Sequence, residues 1–322
     1  MNPAISVILM TTLIGAGQGL FLAIYTAEIM GILGLIGKTD NRTFQALGSM
    51  IALAFLAVGL IASFFHLGHP ERAWRAATMW RTSWLSREVI VLPSLMATVF
   101  AYGIAQYFGG HNSPETLVQI ITMVAGIFAV ILCITLFICT GMIYACIKFM
   151  QEWASPLTLV NYFLMGTASG LVLATLFAMV VAPELVKMFG GAAIAFTLAA
   201  FASRVASLYR NARIKPKSTI QSATGIRHPR IVQKAQGAMG GSFNTREFFH
   251  GKSYRMVRSV KWIFLILAFP VPILLVAAGL LTASVIWLAV AFALQYIGLV
   301  FERWFFFAQA NHPQNIYYQQ IS

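Results

Sequence analysis

Eight apolar runs, each long enough to cross a bilayer as a helix, divide this chain: 5–30, 44–66, 87–108, 117–147, 157–182, 187–208, 260–281 and 284–307. About 20 apolar residues span the hydrocarbon layer at the rise of an α-helix. Backbone N–H and C=O groups find no water there, so each run has to close its own hydrogen bonds. The fold class that follows is all-α, a polytopic membrane protein built as a bundle of eight transmembrane helices. Composition agrees: 59% of residues are hydrophobic and 10% charged, where a soluble domain carries about 25% charged residues. No aqueous stretch is long enough for a second core. Residues 1–322 are therefore read as a single transmembrane domain, with 209–259 as a basic loop within it. The first residues, MNPAISVILM, lack a basic n-region and an A-x-A site and read as a retained first span.

The net charge of +13 raises the question of a nucleic-acid partner. With eight spans both termini share a side, and that side collects nineteen of the 22 lysines and arginines. The other side has only Lys38, Arg42 and Lys187. Lysine and arginine accumulate in cytoplasmic loops during insertion, so the bias answers to topology and not to nucleic acid. It predicts cytoplasmic termini in a bacterial cytoplasmic (inner) membrane. Eleven of the basic residues lie in the 209–259 insertion, against the single acid Glu247; its Gly, Ser and Pro content predicts a largely irregular or partner-ordered loop.

The chemically rich stretch is FFHLGHPERAWRAATMWRTSWLSREV, residues 64–89. His66 leaves the second span and Glu88 enters the third. Pro70 suits a helix start and Glu71 the first turn that follows it, so a short interfacial helix is expected there. Trp74, Trp80 and Trp84 have the amphipathic rings that favour headgroup level. A transmembrane haem b needs two facing histidines, and of the six only His66 lies in or at a span. No haem is expected. The cysteines Cys133, Cys139 and Cys146 form no CxxC pair and read as packing residues in the fourth span. No metal site is expected.

Electron exchange without haem has to occur near one face, which suits a quinone. Its reduction takes two electrons and two protons. Histidine exchanges protons near neutrality, a partly buried glutamate can be shifted towards it, and arginine can stabilise charge on a ring oxygen. His66, Glu88 and Arg72 supply these types, with Arg75 beside them. The bland alternative is that His66 ends a helix, Glu88 pairs with an arginine, and the arginines only set topology. Gln18, among Gly15, Gly17 and Gly19, is either an interhelical hydrogen bond or a site residue. Glu28, near the far end of the first span, reads as an interfacial carboxylate.

The run His66, Leu67, Gly68, Pro70, Arg72, Ala73, followed by Ser86 and Glu88, resembles the HLGxPxRA and SxE motifs of the DmsC family, the membrane-anchor subunits of dimethyl sulfoxide reductase. The GxGQ stretch ending at Gln18 and the eight spans fit as well. The resemblance implies a haem-free anchor that exchanges electrons with ubiquinone or menaquinone. It implies quinone-site roles for His66 and Glu88, with Ser86 in the motif beside them. It also implies two partners, a ferredoxin-like iron–sulfur subunit and a molybdopterin catalytic subunit, which hold the clusters and the molybdenum.

The basic insertion and the tail FERWFFFAQANHPQNIYY depart from the dimethyl sulfoxide reductase anchors. They are more similar to SoeC-type anchors of sulfite:quinone dehydrogenases, whose catalytic subunits stay in the cytoplasm. Sulfite oxidation coupled to quinone reduction is thereby implied, with a menaquinol-oxidising terminal reductase as the alternative. Arg81, Arg87, Arg227, Arg230 and Lys234 are the expected docking cations. Two other classes stay open. A secondary transporter would use Gln18, Glu28 and Glu302 along a pathway and would show broken helices in matching positions, of which the sequence shows none. A purely structural anchor would leave the quinone to another part of the complex.

Overall fold

A computed structural model describes residues 1–36, 42–112, 115–232, 234 and 247–318. Every apolar run is helical in it, and the described residues contain no strand. Six spans precede the insertion: α1 (Ile5–Ile32), α2 (Arg42–Phe64), α3 (Trp84–Asn112), α4 (Glu115–Ala145), α5 (Pro156–Val181) and α6 (Val186–Asn211). A short helix, α7 (Ile220–Thr224), lies in the insertion and is closed by a Thr219/Ser222 capping box. Then come α8 (Tyr254–Leu267), α9 (Pro270–Thr282), α10 (Val285–Ala308) and the short α11 (Asn315–Tyr318). The expected ends hold to within a few residues, except that the seventh span begins at Tyr254. Lys38 and Asp40, part of the Ser113–Pro114 turn, and most of 233–246 lie outside the described residues.

The bundle is organised around α1 and α5, whose most apolar stretches are 72% and 67% buried while those of the other spans are 33–39% buried. Small residues bring the two together. A Cβ on Gly19 would sit 2.3 Å from the Gly166 carbonyl oxygen, and one on Gly170 only 2.1 Å from the Gly19 carbonyl carbon. This is backbone-to-backbone packing, the association mode open to helices that gain nothing from hydrophobic exclusion in lipid. Gly17 serves another face of α1, against Ala52, Phe55 and Leu56 of α2.

The seventh span corrects the reading of one uninterrupted segment. It is broken at Ala268–Phe269 between α8 and α9, because Pro270 has no N–H to continue the ladder and drives Phe269 out of helical geometry (φ −125°, ψ −78°). Gly298 of α10 packs against the break, where a Cβ would lie 2.4 Å from the Ala268 nitrogen.

Both chain ends meet on one face. The Met1 amino group donates to the Ala310 carbonyl (3.0 Å), and Asn2 N–H to the carbonyl of Glu247 in the insertion (2.9 Å). Arg210 ties α6 to the α4–α5 connection through the carbonyls of Gln151 and Ala154. His312 stacks on Phe248 at 3.8 Å, and burial and the positive amino terminus hold its pKa below the ordinary histidine value.

Candidate functional site

The chain from α2 to α3 builds the rim. Pro70–Met79 forms a 3₁₀ helix with no buried residue, so the expected interfacial helix is present in its tighter form. From this helix into α3, arginines lie on tryptophans: Arg75 over Trp74 at 5.5 Å, Arg81 over Trp80 at 5.4 Å and Arg87 over Trp84 at 4.2 Å. Such stacking attracts each guanidinium to the face of its ring. Arg87 also donates to the Trp80 and Arg81 carbonyls and so clamps the turn into α3. Ser83 opens that helix, its hydroxyl accepting from Ser86 N–H at 3.3 Å.

One turn into α3, Glu88 is 3% exposed. The Thr140 hydroxyl of α4 donates to its Oε1 at 2.5 Å. Glu88 lines a cavity between α1, α3, α4, α5 and α10, together with Thr11, Gln18, Thr140, Tyr162, Ser169 and Arg303. Met10, Ile14, Phe137, Met165 and Leu299 form apolar walls. Gln18 is fixed by donating from Nε2 to the Cys133 carbonyl of α4 at 2.8 Å. It is thus both an interhelical bond and a cavity residue. Glu88, Thr140, Tyr162 and Arg303 lie in the parts of their helices nearest the face that carries the chain ends, and Gln18 and Ser169 lie near the middle of theirs.

On the α10 side the cavity meets a buried ion cluster. Glu302 accepts from Arg303 Nε (2.5 Å) and pairs through Oε1 with Arg204 Nε of α6 (2.7 Å). All three side chains are at most 5% exposed. Arg303 also lies over the rings of Tyr162 (4.2 Å) and Phe306 (4.9 Å). Beyond it, Tyr144, Trp153, Phe306 and Phe307 pack edge and face, and Trp153 Nε1 donates to the Phe306 carbonyl at 3.0 Å.

The structure therefore brings Glu88 and Gln18 together on one cavity, while Ser86, also buried, lies two residues before Glu88 on α3 and does not line it. His66, Arg72 and Arg75 do not line it. His66 is exposed just beyond α2, and what burial its ring has holds its pKa below the ordinary value. Arg72 lies 3.7 Å from Glu71, which His69 meets at 3.0 Å, all three exposed. Arg227, Arg230 and Lys234 are exposed on the insertion.

Sequence reasoning missed Thr140, Tyr162 and the cavity position of Arg303, which it read as a topology cation and as a charge partner of Glu302 near a helix end. The available signal was Glu302–Arg303 and Arg204 inside apolar runs, where ionisable residues are expensive. Glu28, expected as an interfacial carboxylate near the far end of the first span, is enclosed by neighbouring helices. It is buried in the half of the bundle away from the chain ends, where Tyr102 donates to Oε2 (2.5 Å) and Gln106 to Oε1 (2.9 Å).

Comparison with known proteins agrees with this architecture. A sulfite dehydrogenase subunit from Allochromatium vinosum is 50% identical to this chain, and the match covers all of both chains. The family model for the DMSO reductase anchor subunit (DmsC) matches residues 1–307. The chain is a member of the DMSO reductase anchor subunit (DmsC) family.

Proposed function

We propose that this chain is the haem-free, quinone-reactive anchor of a molybdopterin and iron–sulfur oxidoreductase, and that it carries electrons from sulfite oxidation into the quinone pool. The observation that carries the reading is Glu88, a buried carboxylate on a cavity with apolar walls and several polar side chains, in a chain half identical to a sulfite dehydrogenase subunit. Apolar walls with a few polar groups are the kind of lining that holds a small ring carrying polar substituents. Quinone supplies the two-electron, two-proton acceptor when bound. The chain's own part is to hold it and to deliver protons.

Glu88 is the proton-exchanging group, with Thr140 fixing the orientation of its carboxyl and Gln18 lining the floor. His66, at the exposed rim, relays protons between water and the cavity mouth, with Arg72 and Arg75 at the same edge. The stacked Arg81 and Arg87, with Arg227, Arg230 and Lys234 on the insertion, make the face cationic, which suits docking of the iron–sulfur subunit on the cytoplasmic side. The molybdopterin subunit sits beyond it, and neither the clusters nor the molybdenum are held here.

The test is sulfite-dependent reduction of a short-chain ubiquinone by the assembled complex in membranes. E88Q is expected to abolish turnover and H66A to slow it, with sulfite oxidation by a soluble dye acceptor intact. Normal quinone-linked turnover in E88Q would remove Glu88 from the site. A complex that reduces dimethyl sulfoxide from menaquinol and ignores sulfite would reverse the direction of electron flow.

A further inference from the structure

The ion cluster beside the cavity carries more positive charge than structure alone requires. Arg204 at 2.7 Å already neutralises Glu302, yet Arg303 is held on the same carboxylate at 2.5 Å, leaving a surplus cation inside the bundle. A buried, uncompensated guanidinium is strongly unfavourable. Arg303 is bonded to Glu302 through Nε, and its guanidinium interacts with the Tyr162 hydroxyl beneath it; Nη1 makes no hydrogen bond of good geometry among the described residues, and neither does Nη2 of Arg204. The Arg303 and Tyr162 side chains are 5% and 6% exposed, and both line the cavity that Glu88 lines. Arg204 does not line it.

Resting on the quinone reading above, we propose that Arg303 and Tyr162 form the oxygen-binding pole of the cavity, donating to a ring oxygen of the ligand at the end opposite the proton-exchanging Glu88. The surplus charge then has a purpose. Glu88 lines the same cavity, and when a ring enters, the charge is met by the oxygen that Arg303 and Tyr162 grip. A guanidinium prepositioned in a water-poor site favours ligands with an acidic ring hydroxyl over neutral ones. Its second arm is already committed to Glu302, so its orientation costs nothing on binding. Arg303 is in this view a binding residue, and Arg204 a positioning residue that acts through Glu302.

The probe is 2-heptyl-4-hydroxyquinoline N-oxide, a fluorescent quinone-site ligand with an acidic ring hydroxyl, titrated into the purified complex. R303M leaves the neutral Arg204–Glu302 pair in place and is expected to weaken binding at least tenfold. Y162F is expected to weaken it three- to fivefold. R204M, which removes the same charge from the same cluster but no cavity-lining group, is expected to stay within threefold of wild type. Should R303M fail to assemble, R303K keeps the ion pair, loses the forked donor, and is expected to weaken binding at least fivefold. Equal losses in R303M and R204M, or binding within threefold of wild type in R303M or R303K, overturn the proposal. If E88Q still loses quinone turnover in that case, the cavity reading survives and only this assignment falls. If E88Q is also unaffected, both fall. Lack of quenching by the wild-type complex counts against the assignment too.

Discussion

Thr140 of α4 donates its hydroxyl to Glu88 of α3 at 2.5 Å, joining the carboxylate of the second motif to a residue that no motif marks. The bond fixes a buried carboxyl that has few other polar neighbours. T140V removes the donor while keeping the shape. A hydrogen bond to a charged or proton-exchanging group is worth about 1.5–3 kcal/mol, so quinone-linked turnover is expected to fall roughly 10- to 100-fold. T140S is expected to restore most of it. Both are read in the assembled complex with the ubiquinone analogue.

The glycines predict a graded stability series. G19A and G170A place a methyl group 2.3 Å and 2.1 Å from opposing backbone, G15A places one at 3.3 Å, and Gly191 has no atom within 4 Å. Overpacking costs about 1–3 kcal/mol, and backbone cannot swing aside as a side chain can. Thermal unfolding in detergent is expected to show G19A and G170A lowest, G15A between, and G191A at the wild-type midpoint. An even response across the four would show that α1 and α5 do not approach as described.

Tyr102 and Gln106 hold Glu28 in the half of the bundle away from the cavity. Y102F removes one donor from a buried carboxylate, a loss of about 1–3 kcal/mol. Thermal stability is expected to drop, while affinity for the hydroxyquinoline N-oxide stays at the wild-type value because the two polar clusters share no residue. A parallel loss of affinity would couple them.

His66 gives a pH dependence with a definite sign. Burial lowers its folded-state pKa below the ordinary 6.5, so the folded protein favours the neutral ring. Its contribution to stability is present above the unfolded pKa and is lost as the pH falls through that value towards the folded one. An NMR titration of histidine-labelled protein, with H66N as the difference control, is expected to place its midpoint below 6.5. A midpoint above it would mean that a carboxylate faces the ring.

Cys146 is exposed beyond the end of α4, while Cys133 and Cys139 are buried. It lies on the face carrying the chain ends, the one proposed above to be cytoplasmic. A membrane-impermeant maleimide is expected to label it in inverted vesicles and not in right-side-out ones. Labelling only in right-side-out vesicles would invert the topology.

How much of this was legible from residues alone depends on whether a partner was needed to give a residue its meaning. Span positions follow from hydrocarbon thickness, so 5–30 and 157–182 could be read locally. Glu88 and Gln18 stood out because polar residues are costly at membrane depth. Arg303 did not, because beside Glu302 near a helix end it reads as a compensated charge; only the packing of α5, α6 and α10 shows that it lies against Tyr162 and a cavity. The enclosure of Glu28 was hidden for the same reason, since its partners Tyr102 and Gln106 are more than 70 residues away. The break at Phe269 had a local signal in Pro270, which a window averaged over an apolar run cannot register.

The order in which the helices leave the ribosome gives the α1–α5 contact a cost in biogenesis. The first helix to enter the bilayer is the most enclosed in the finished bundle, and the glycines it packs against, Gly166 and Gly170, are synthesised about 150 residues later. During that interval Gly15, Gly19 and Gln18 face lipid or the insertion machinery, with no Cys133 carbonyl to receive the amide. At 5–20 residues per second this exposure lasts on the order of ten seconds. Nascent chains stalled before α5 should therefore be the ones that membrane quality control removes, and crosslinks from α1 to an insertase should vanish once α5 has emerged.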